Sequence, residues 1–129
     1  MKKKTPPKPT EAELTILRVL WARKAGTVRQ IWEEINRSQP TGYTTVLKFL
    51  QIMAEKGLVE RDESERSHVY TAAFSQEQTQ RQVLGHLLDR VFSGSAHKLV
   101  MQALASRKAT RAELAEIRKL LDEMEGGSR

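Results

Sequence analysis

The chain has 129 residues, of which 29% are charged and 39% hydrophobic, and it contains no cysteine. These values are typical of a small globular protein, and they exclude disulfide bridges and thiolate metal sites. No apolar run approaches the roughly 18 residues of a membrane span. The lysines of Met1–Lys4 are followed by prolines and not by an apolar stretch, so we expect no secretory signal and a cytoplasmic location.

The formal net charge of +6 is unevenly distributed along the chain. Residues 1–9 contain four lysines, three prolines and no acid, which predicts a disordered basic arm. Residues 10–73 contain nine basic and nine acidic side chains. The net charge is therefore weak support for an anionic partner. Whether the chain binds one has to be judged from where the charged residues lie.

Two helices are predicted directly after the arm. Thr10 and Glu13 form a capping box, and apolar residues then recur at helical spacing to about Ala22. Thr27 and Gln30 mark the start of a second helix in the same way. The apolar residues expected to face inward are Leu14, Ile16, Leu17, Leu20, Trp21, Val28, Ile31, Trp32 and Ile35.

A third helix and a hairpin follow. Residues 37–42 have the composition of a turn, and a helix is predicted from about Gly42 to Lys56. Residues 58–61 and 68–71 are predicted strands around a polar turn at 62–67. Three helices and a hairpin in this order predict a mainly α fold, with a winged helix-turn-helix over residues 10–74 followed by a C-terminal helical dimerisation region over residues 75–125.

The C-terminal region contains more apolar side chains than about 55 residues with two aromatics, Phe74 and Phe92, can bury alone. Capping signatures at Ser75 and Thr110 and a break at Gly94 predict three helices there. We expect these side chains to be buried against a second copy of the chain. The alternative is that they pack back onto the first lobe. The residues expected at a dimer interface are Val83, Leu87, Leu88, Val91, Phe92, Leu99, Val100, Ile117 and Leu121.

The third helix has the pattern expected of a DNA-reading helix. On a helical wheel, Val46, Leu50 and Met53 lie on one side. The residues opposite them are Thr44, Lys48, Gln51 and Glu55, with Thr45 on a shoulder. No acidic residue occurs from Ile35 to Ala54, as a helix approaching phosphates requires. An ordinary amphipathic helix with a small polar face would show a similar pattern. The residues expected to contact DNA are Thr41, Gly42, Tyr43, Thr44, Thr45 and Lys48.

The predicted wing carries both signs of charge. Arg66 and Ser67 are expected to contact the DNA backbone, but Asp62, Glu63 and Glu65 lie beside them. A solvated turn without phosphate contacts explains the same composition. The wing alone therefore leaves both interpretations open.

Several segments together resemble the penicillinase-repressor family, which includes the beta-lactamase and methicillin-resistance repressors. The matching segments are Glu11–Trp21, Thr27–Ile35, Gly42–Val59 and His68–Tyr70, with looser matches at Leu87–Gly94 and Ala112–Glu123. The resemblance implies a homodimer on a palindromic DNA operator. It also implies that Thr44, Thr45 and Lys48 occupy base-contacting positions.

The resemblance also bears on regulation. In the resistance repressors, signalling cuts the repressor at an Asn–Phe pair, and the matching residues here are Gln102 and Ala103. The resemblance therefore also implies a membrane-bound sensor metalloprotease as a partner. Cleavage of this chain is therefore an open hypothesis. Copper-responsive relatives carry a C-terminal cysteine cluster, so the absence of cysteine excludes copper sensing by that route.

No motif in the sequence indicates catalysis. The chain lacks a cysteine nucleophile and a glycine-rich phosphate loop, and His68, His86 and His97 are scattered. We expect no enzyme activity, cofactor, metal or small-molecule substrate. The alternative function is a winged-helix module that binds protein and not specific DNA; the acid-free stretch that leads the third helix favours DNA.

Overall fold

A computed structural model describes residues 6–127 of the chain. Residues 1–5, most of the predicted arm, lie outside the described residues, and within the remainder of the arm Pro6 and Pro9 are buried. The chain divides into two compact units, Met1–His86 and Leu87–Arg129. We describe each unit by itself.

Three helices form most of the first unit: α1 (Glu11–Arg23), α2 (Val28–Ser38) and α3 (Tyr43–Lys56). The predicted capping boxes are present at the first two. The Glu13 amide donates to the Thr10 hydroxyl at 3.2 Å, and the Gln30 amide donates to the Thr27 hydroxyl at 3.2 Å. These bonds satisfy amides that the first helical turn leaves without intrahelical partners, which fixes where the helices begin.

The hairpin is present, but the sheet has one strand more than the sequence predicts. β1 (Gly26–Thr27) pairs antiparallel with β3 (Val69–Ala72), which also pairs with β2 (Val59–Asp62), so the strand order is β1-β3-β2. A two-residue strand is too short to give an alternating pattern. Its position depends on close packing, because a Cβ at Gly26 would lie 3.3 Å from Cγ1 of Ile31.

The core of the first unit collects the inner faces of these elements. Val46, Leu50 and Met53 of α3 are each at most 1% exposed, as the helical wheel predicts. In α1, Leu14 and Trp21 are only partly buried, so the buried stripe is narrower than predicted. The buried core residues are Ile16, Leu17, Leu20, Val28, Ile31, Ile35, Val46, Leu50, Met53, Leu58, Val59 and Tyr70.

A glycine makes the turn from α3 into the wing. Gly57 has a φ of 85°, a left-handed conformation that favours glycine. The next amide, on Leu58, donates to the Met53 carbonyl at 2.8 Å. The chain therefore leaves α3 sharply, and Leu58 and Val59 enter the core at the start of β2.

A buried ion pair joins the start of α1 to the end of α3. Glu13 is 2% exposed, and Lys56 Nζ donates to its two carboxylate oxygens at 2.8 and 2.9 Å. The Thr10 amide donates to the same carboxylate at 2.9 Å. Burial alone would raise the pKa of Glu13, but the hydrogen bonds from Lys56 and Thr10 outweigh it and lower the pKa below its ordinary value.

The second unit contains little that is buried. The remaining helices are α4 (Gln76–Val91), α5 (Ala96–Ser106) and α6 (Arg111–Gly127), and the division between the units falls inside α4. The predicted caps at Ser75 and Thr110 are present, with amide-to-hydroxyl bonds of 3.1 Å from Gln78 and from Glu113. No described side chain of α5 or α6 is buried.

The first prediction concerns the Glu13–Lys56 pair. Lys56→Met leaves a buried carboxylate with one charged partner fewer, and we expect it to lower the free energy of unfolding by about 1–3 kcal/mol at pH 7. Because the pKa of Glu13 is lowered in the folded state, its stabilisation is present above the unfolded value of about 4.3 and is lost as the pH falls through the folded value.

Urea unfolding at several pH values measures this effect. Glu13→Gln should flatten the acid limb of the stability profile relative to the wild type. Lys48→Met is the matched control on the same helix, since Lys48 is exposed, and it should change stability by less than about 0.5 kcal/mol. Equal losses for the two lysine variants would contradict the assignment.

Candidate nucleic-acid interface

The outer face of α3 is polar and open to solvent. Thr44, Thr45 and Lys48 are all exposed, on the side of the helix away from the buried Val46 and Leu50. Within the described part of the chain no ion pair involves Lys48. The face therefore offers two hydroxyl groups near the start of the helix and one uncompensated positive charge about a turn later.

The turn before α3 is held by side chains of α2. The indole N–H of Trp32 donates to the Thr41 carbonyl at 2.7 Å, and the Thr41 amide donates to the Asn36 side-chain oxygen at 2.9 Å. The Thr41 hydroxyl donates to the Gln39 carbonyl at 2.7 Å. These bonds fix the position from which α3 begins and already use the donors of Thr41.

An aromatic contact supports the first residue of α3. The rings of Trp32 and Tyr43 pack edge to face, with centroids 5.9 Å apart and planes at 71°. Tyr43 remains 43% exposed. A large, partly exposed ring held by a neighbour presents a preformed contact surface beside Thr44.

The N-terminus of α3 lacks the side-chain cap that the other helices of the described chain have. Its N-cap residue, Gly42, has an extended backbone and provides no side-chain acceptor. The N-cap positions of α1, α2 and α5, and the residues that precede α4 and α6, are filled by Ser or Thr, whose hydroxyls accept from an amide. The first amides of α3 are thus left for another acceptor, and a helix N-terminus favours an anionic one.

The wing separates its two arginines into different roles. Arg61 Nη2 lies 2.8 Å from Glu63 Oε2, and the side chains of Tyr70 and Glu63 hold the pKa of Arg61 above its ordinary value. Arg66 and Ser67 are exposed at the tip and make no polar contact within the described residues. Only Arg66 therefore keeps its positive charge available for a phosphate.

The wing tip is also ordered locally. The Ser64 amide donates to the Asp62 carboxylate at 2.9 Å, and hydrogen bonds to the Ser64 amide and hydroxyl lower the pKa of Asp62. Asp62, the last residue of β2, therefore already accepts a hydrogen bond within the turn, and Glu63 is paired with Arg61. Glu65 has no such partner among the described residues and stays exposed beside Arg66.

The profile of the penicillinase repressor family matches residues 9–123. The chain belongs to the penicillinase repressor family. Members of this family are transcriptional repressors and not enzymes. The expectation from the sequence segments is thereby confirmed.

Named relatives are distant but match over most of their length. The transcriptional regulator BlaI of Mycobacterium tuberculosis is 29% identical over 122 residues, which cover 91% of this chain and 85% of that protein. The penicillinase repressor of Bacillus licheniformis is 23% identical, with 91% of each chain covered. The methicillin resistance regulatory protein MecI of Staphylococcus aureus is 19% identical and covers 88% of this chain and 92% of MecI.

Solved structures confirm the winged-helix fold of this family member. The DNA-binding domain of the repressor BlaI superposes with a TM-score of 0.52 at 23% identity, covering 60% of this chain and 93% of that domain. The monomeric form of Bacillus licheniformis BlaI, solved in complex with the blaP half-operator, superposes with a TM-score of 0.50 at 23% identity, with the same coverage.

The apolar side chains of α4 to α6 in this repressor-family chain are largely uncovered. Of the residues expected at a dimer interface, Leu87, Val91, Val100 and Leu121 are 41–63% exposed, and Val83, Leu88, Phe92, Leu99 and Ile117 are partly buried. Leu84, Met101 and Leu120 are exposed to a similar degree but were not expected there. Leu84, Leu87 and Val91 lie at helical spacing, a signal that the wheel of α4 already contained.

The remaining candidate residues do not form a site. Gln102 and Ala103 both lie exposed within α5, whose last turn includes a bond from the Arg107 amide to the Ala103 carbonyl at 3.2 Å. No group of acidic or histidine side chains able to hold a metal occurs among the described residues. Across residues 6–127, no helix has the length and apolar character needed to cross a membrane.

The second prediction tests the two roles in the wing. Arg66→Gln should reduce the salt dependence of binding to random-sequence duplex by about one unit of slope, because one phosphate contact is lost. The double variant Arg61→Gln, Glu63→Gln removes a neutral pair and should leave the slope near that of the wild type. Equal slopes for Arg66→Gln and wild type, from binding titrations between about 50 and 200 mM salt, would show that the wing does not face phosphates.

Proposed function

We propose that this chain is a sequence-specific transcriptional repressor that binds a palindromic DNA operator as a homodimer. The observation that carries the proposal is the exposed face of α3, which has no acidic residue before Glu55 and whose N-terminus has no side-chain cap. This face is attached to a fold shared with a BlaI domain that was solved on a half-operator. The recognition helix in this proposal is α3, lying in the major groove.

The side chains on the α3 face suit this task. Threonine hydroxyls bond phosphates or base edges, and their methyl groups contact the methyl of thymine, which Thr44 and Thr45 can do from the first turn. Lys48 lies about one turn further along and reaches a guanine edge or a phosphate. Gly42, Tyr43 and the turn residue Thr41 approach the DNA backbone, while Arg66 and Ser67 contact it from the wing.

The third prediction separates recognition from folding on α3. Lys48→Ala should cost roughly 1–3 kcal/mol of affinity for a duplex enriched from random sequence by the wild type, if Lys48 reads a base. Its melting temperature should stay near that of the wild type, because Lys48 is exposed. Leu50→Ala should instead lower the free energy of unfolding by about 2–5 kcal/mol, because Leu50 is fully buried.

Thermal melting and binding titrations at one salt concentration measure both variants. A loss that is equal on the enriched and on random duplexes assigns Lys48 to a phosphate. Unchanged binding by Lys48→Ala would contradict the placement of α3. Failure of the wild type to enrich any duplex would favour the alternative function, a winged-helix module that binds protein.

The apolar side chains of α4 to α6 support the proposed homodimer. Val91 and Met124 are 63% and 65% exposed in the single chain, and α5 buries no residue at all. Obligate interfaces resemble a protein core divided between two chains. The helices α4 to α6 of one chain form no such core alone, and a second copy would complete it. A second copy also fits a palindromic operator, since two-fold protein symmetry matches two half-sites.

The fourth prediction tests the dimer. Val91→Asp should shift the wild-type dimer towards monomer, because an unpaired charge would be buried at the interface. Binding to the paired half-sites should weaken with it. Gln80→Asp is the matched control, since Gln80 is exposed on the part of α4 that belongs to the first unit. Sedimentation equilibrium that finds the wild type at the mass of one chain at micromolar concentration would refute the dimer.

The finer organisation of the chain is also part of the proposal. Residues 1–9 serve as a basic arm that adds non-specific affinity, residues 10–74 read DNA, and residues 75–125 dimerise. Cleavage between Gln102 and Ala103 by a membrane-bound sensor metalloprotease stays a prediction of the family resemblance. Such a cut would divide α5 and so act on the dimer and not on the DNA-reading helix.

A further inference from the structure

The segment between the wing and α4 is held at three successive residues. The Ala73 amide donates to the Leu58 carbonyl at 2.9 Å, and the indole N–H of Trp21 donates to the Phe74 carbonyl at 3.0 Å. Ser75 then caps α4 through the Gln78 amide at 3.1 Å. The Trp21 bond spans 53 residues of sequence and connects α1 directly to the residue before the cap.

Packing covers this segment only partly. A groove of about 370 Å³ lies beside it, lined among others by Trp21, Lys24, Ala73 and Phe74. Phe74 and Trp21 are both only half-buried. Since close packing does not fix the segment from this side, the directional hydrogen bond from Trp21 ties the residues before α4 to α1.

The direction in which α4 starts has a consequence along its whole length. Thr79, one turn into α4, is 2% exposed and is its only buried residue. The whole 16-residue helix is roughly 24 Å long, and the division between the two units falls inside it. A small change of angle at Phe74 is therefore amplified at the far end of the helix.

We propose that Trp21 is a positioning residue that sets the preferred spacing between the two operator half-sites, by fixing the start of α4 through its bond to the Phe74 carbonyl. The inference rests on the proposed dimeric repressor. In a dimer joined through the C-terminal unit, α4 connects each DNA-reading lobe to the partner copy. Holding its start raises the effective concentration of the second lobe at one spacing and lowers it at others.

The chain contains a matched control for this role. Trp32 makes the same type of bond, from its indole N–H to the Thr41 carbonyl, but at the turn that begins α3. Trp21→Phe and Trp32→Phe each keep a ring and remove one donor. The two variants should therefore separate the spacing of half-sites from the reading of a single half-site.

The experiment uses the full-length chain, one duplex with a single enriched half-site, and a series of duplexes with two half-sites stepped by one base pair. We expect a wild-type optimum at one spacing. Trp21→Phe should bind the single half-site within about twofold of the wild type. At the optimum it should lose about three- to tenfold, with a flatter profile, as expected for one lost hydrogen bond. Trp32→Phe should lose a similar factor on the single half-site and about the square of that factor at every spacing, because both lobes carry the change.

The inference would be overturned if Trp21→Phe kept the spacing profile of the wild type. It would also be overturned if the variant lost as much affinity on the single half-site as at the optimal spacing. If Trp21→Phe melts early, benzothienylalanine at position 21 replaces it, because this residue keeps the shape of tryptophan without the N–H donor. A wild type that gains nothing from a second half-site would instead refute the dimeric repressor itself. That result is distinguishable, since it appears before any variant is compared.

Discussion

The burial of one face of α3 is the contact on which the rest of the molecule depends. Val46, Leu50 and Met53 have almost no exposure and belong to one buried cluster with residues of α1, α2 and the strands. Since a helix has a fixed period, burying these residues forces Thr44 and Lys48 to the opposite side. The residues that build the core therefore also determine which side chains of α3 face the solvent.

Two tryptophans control the connections on either side of this core. Both use a half-buried indole to donate a hydrogen bond to a backbone carbonyl in a linker, Trp32 at the start of α3 and Trp21 before the start of α4. A ring packed against the core positions its N–H group accurately, whereas a short polar side chain on the linker itself could not. In the proposed repressor the first bond orients the reading helix, and the second orients the helix that leads to the partner.

How much of this the sequence could predict depended on the range of the interaction. The capping boxes and the inner face of α3 involve residues three or four apart, so a local pattern was enough to predict them. The strand Gly26–Thr27, the Glu13–Lys56 pair and the Trp21–Phe74 bond join residues 42 to 53 positions apart, and no local pattern identifies such partners. Glu13 had been interpreted only as a capping residue, although the same carboxylate accepts from Lys56.

The C-terminal unit connects DNA binding to protein concentration. No side chain of α5 is buried within one chain, and in the proposed dimer a second copy removes its apolar residues from water. The stability of such a unit depends on the concentration of the protein, and ligands that bind only the assembled form stabilise it. In the proposed dimer, an operator with two half-sites is such a ligand, so DNA and dimer formation reinforce each other. Any event that damages the C-terminal helices would then release the operator without touching α3, because a single lobe keeps its contacts but loses the second half-site.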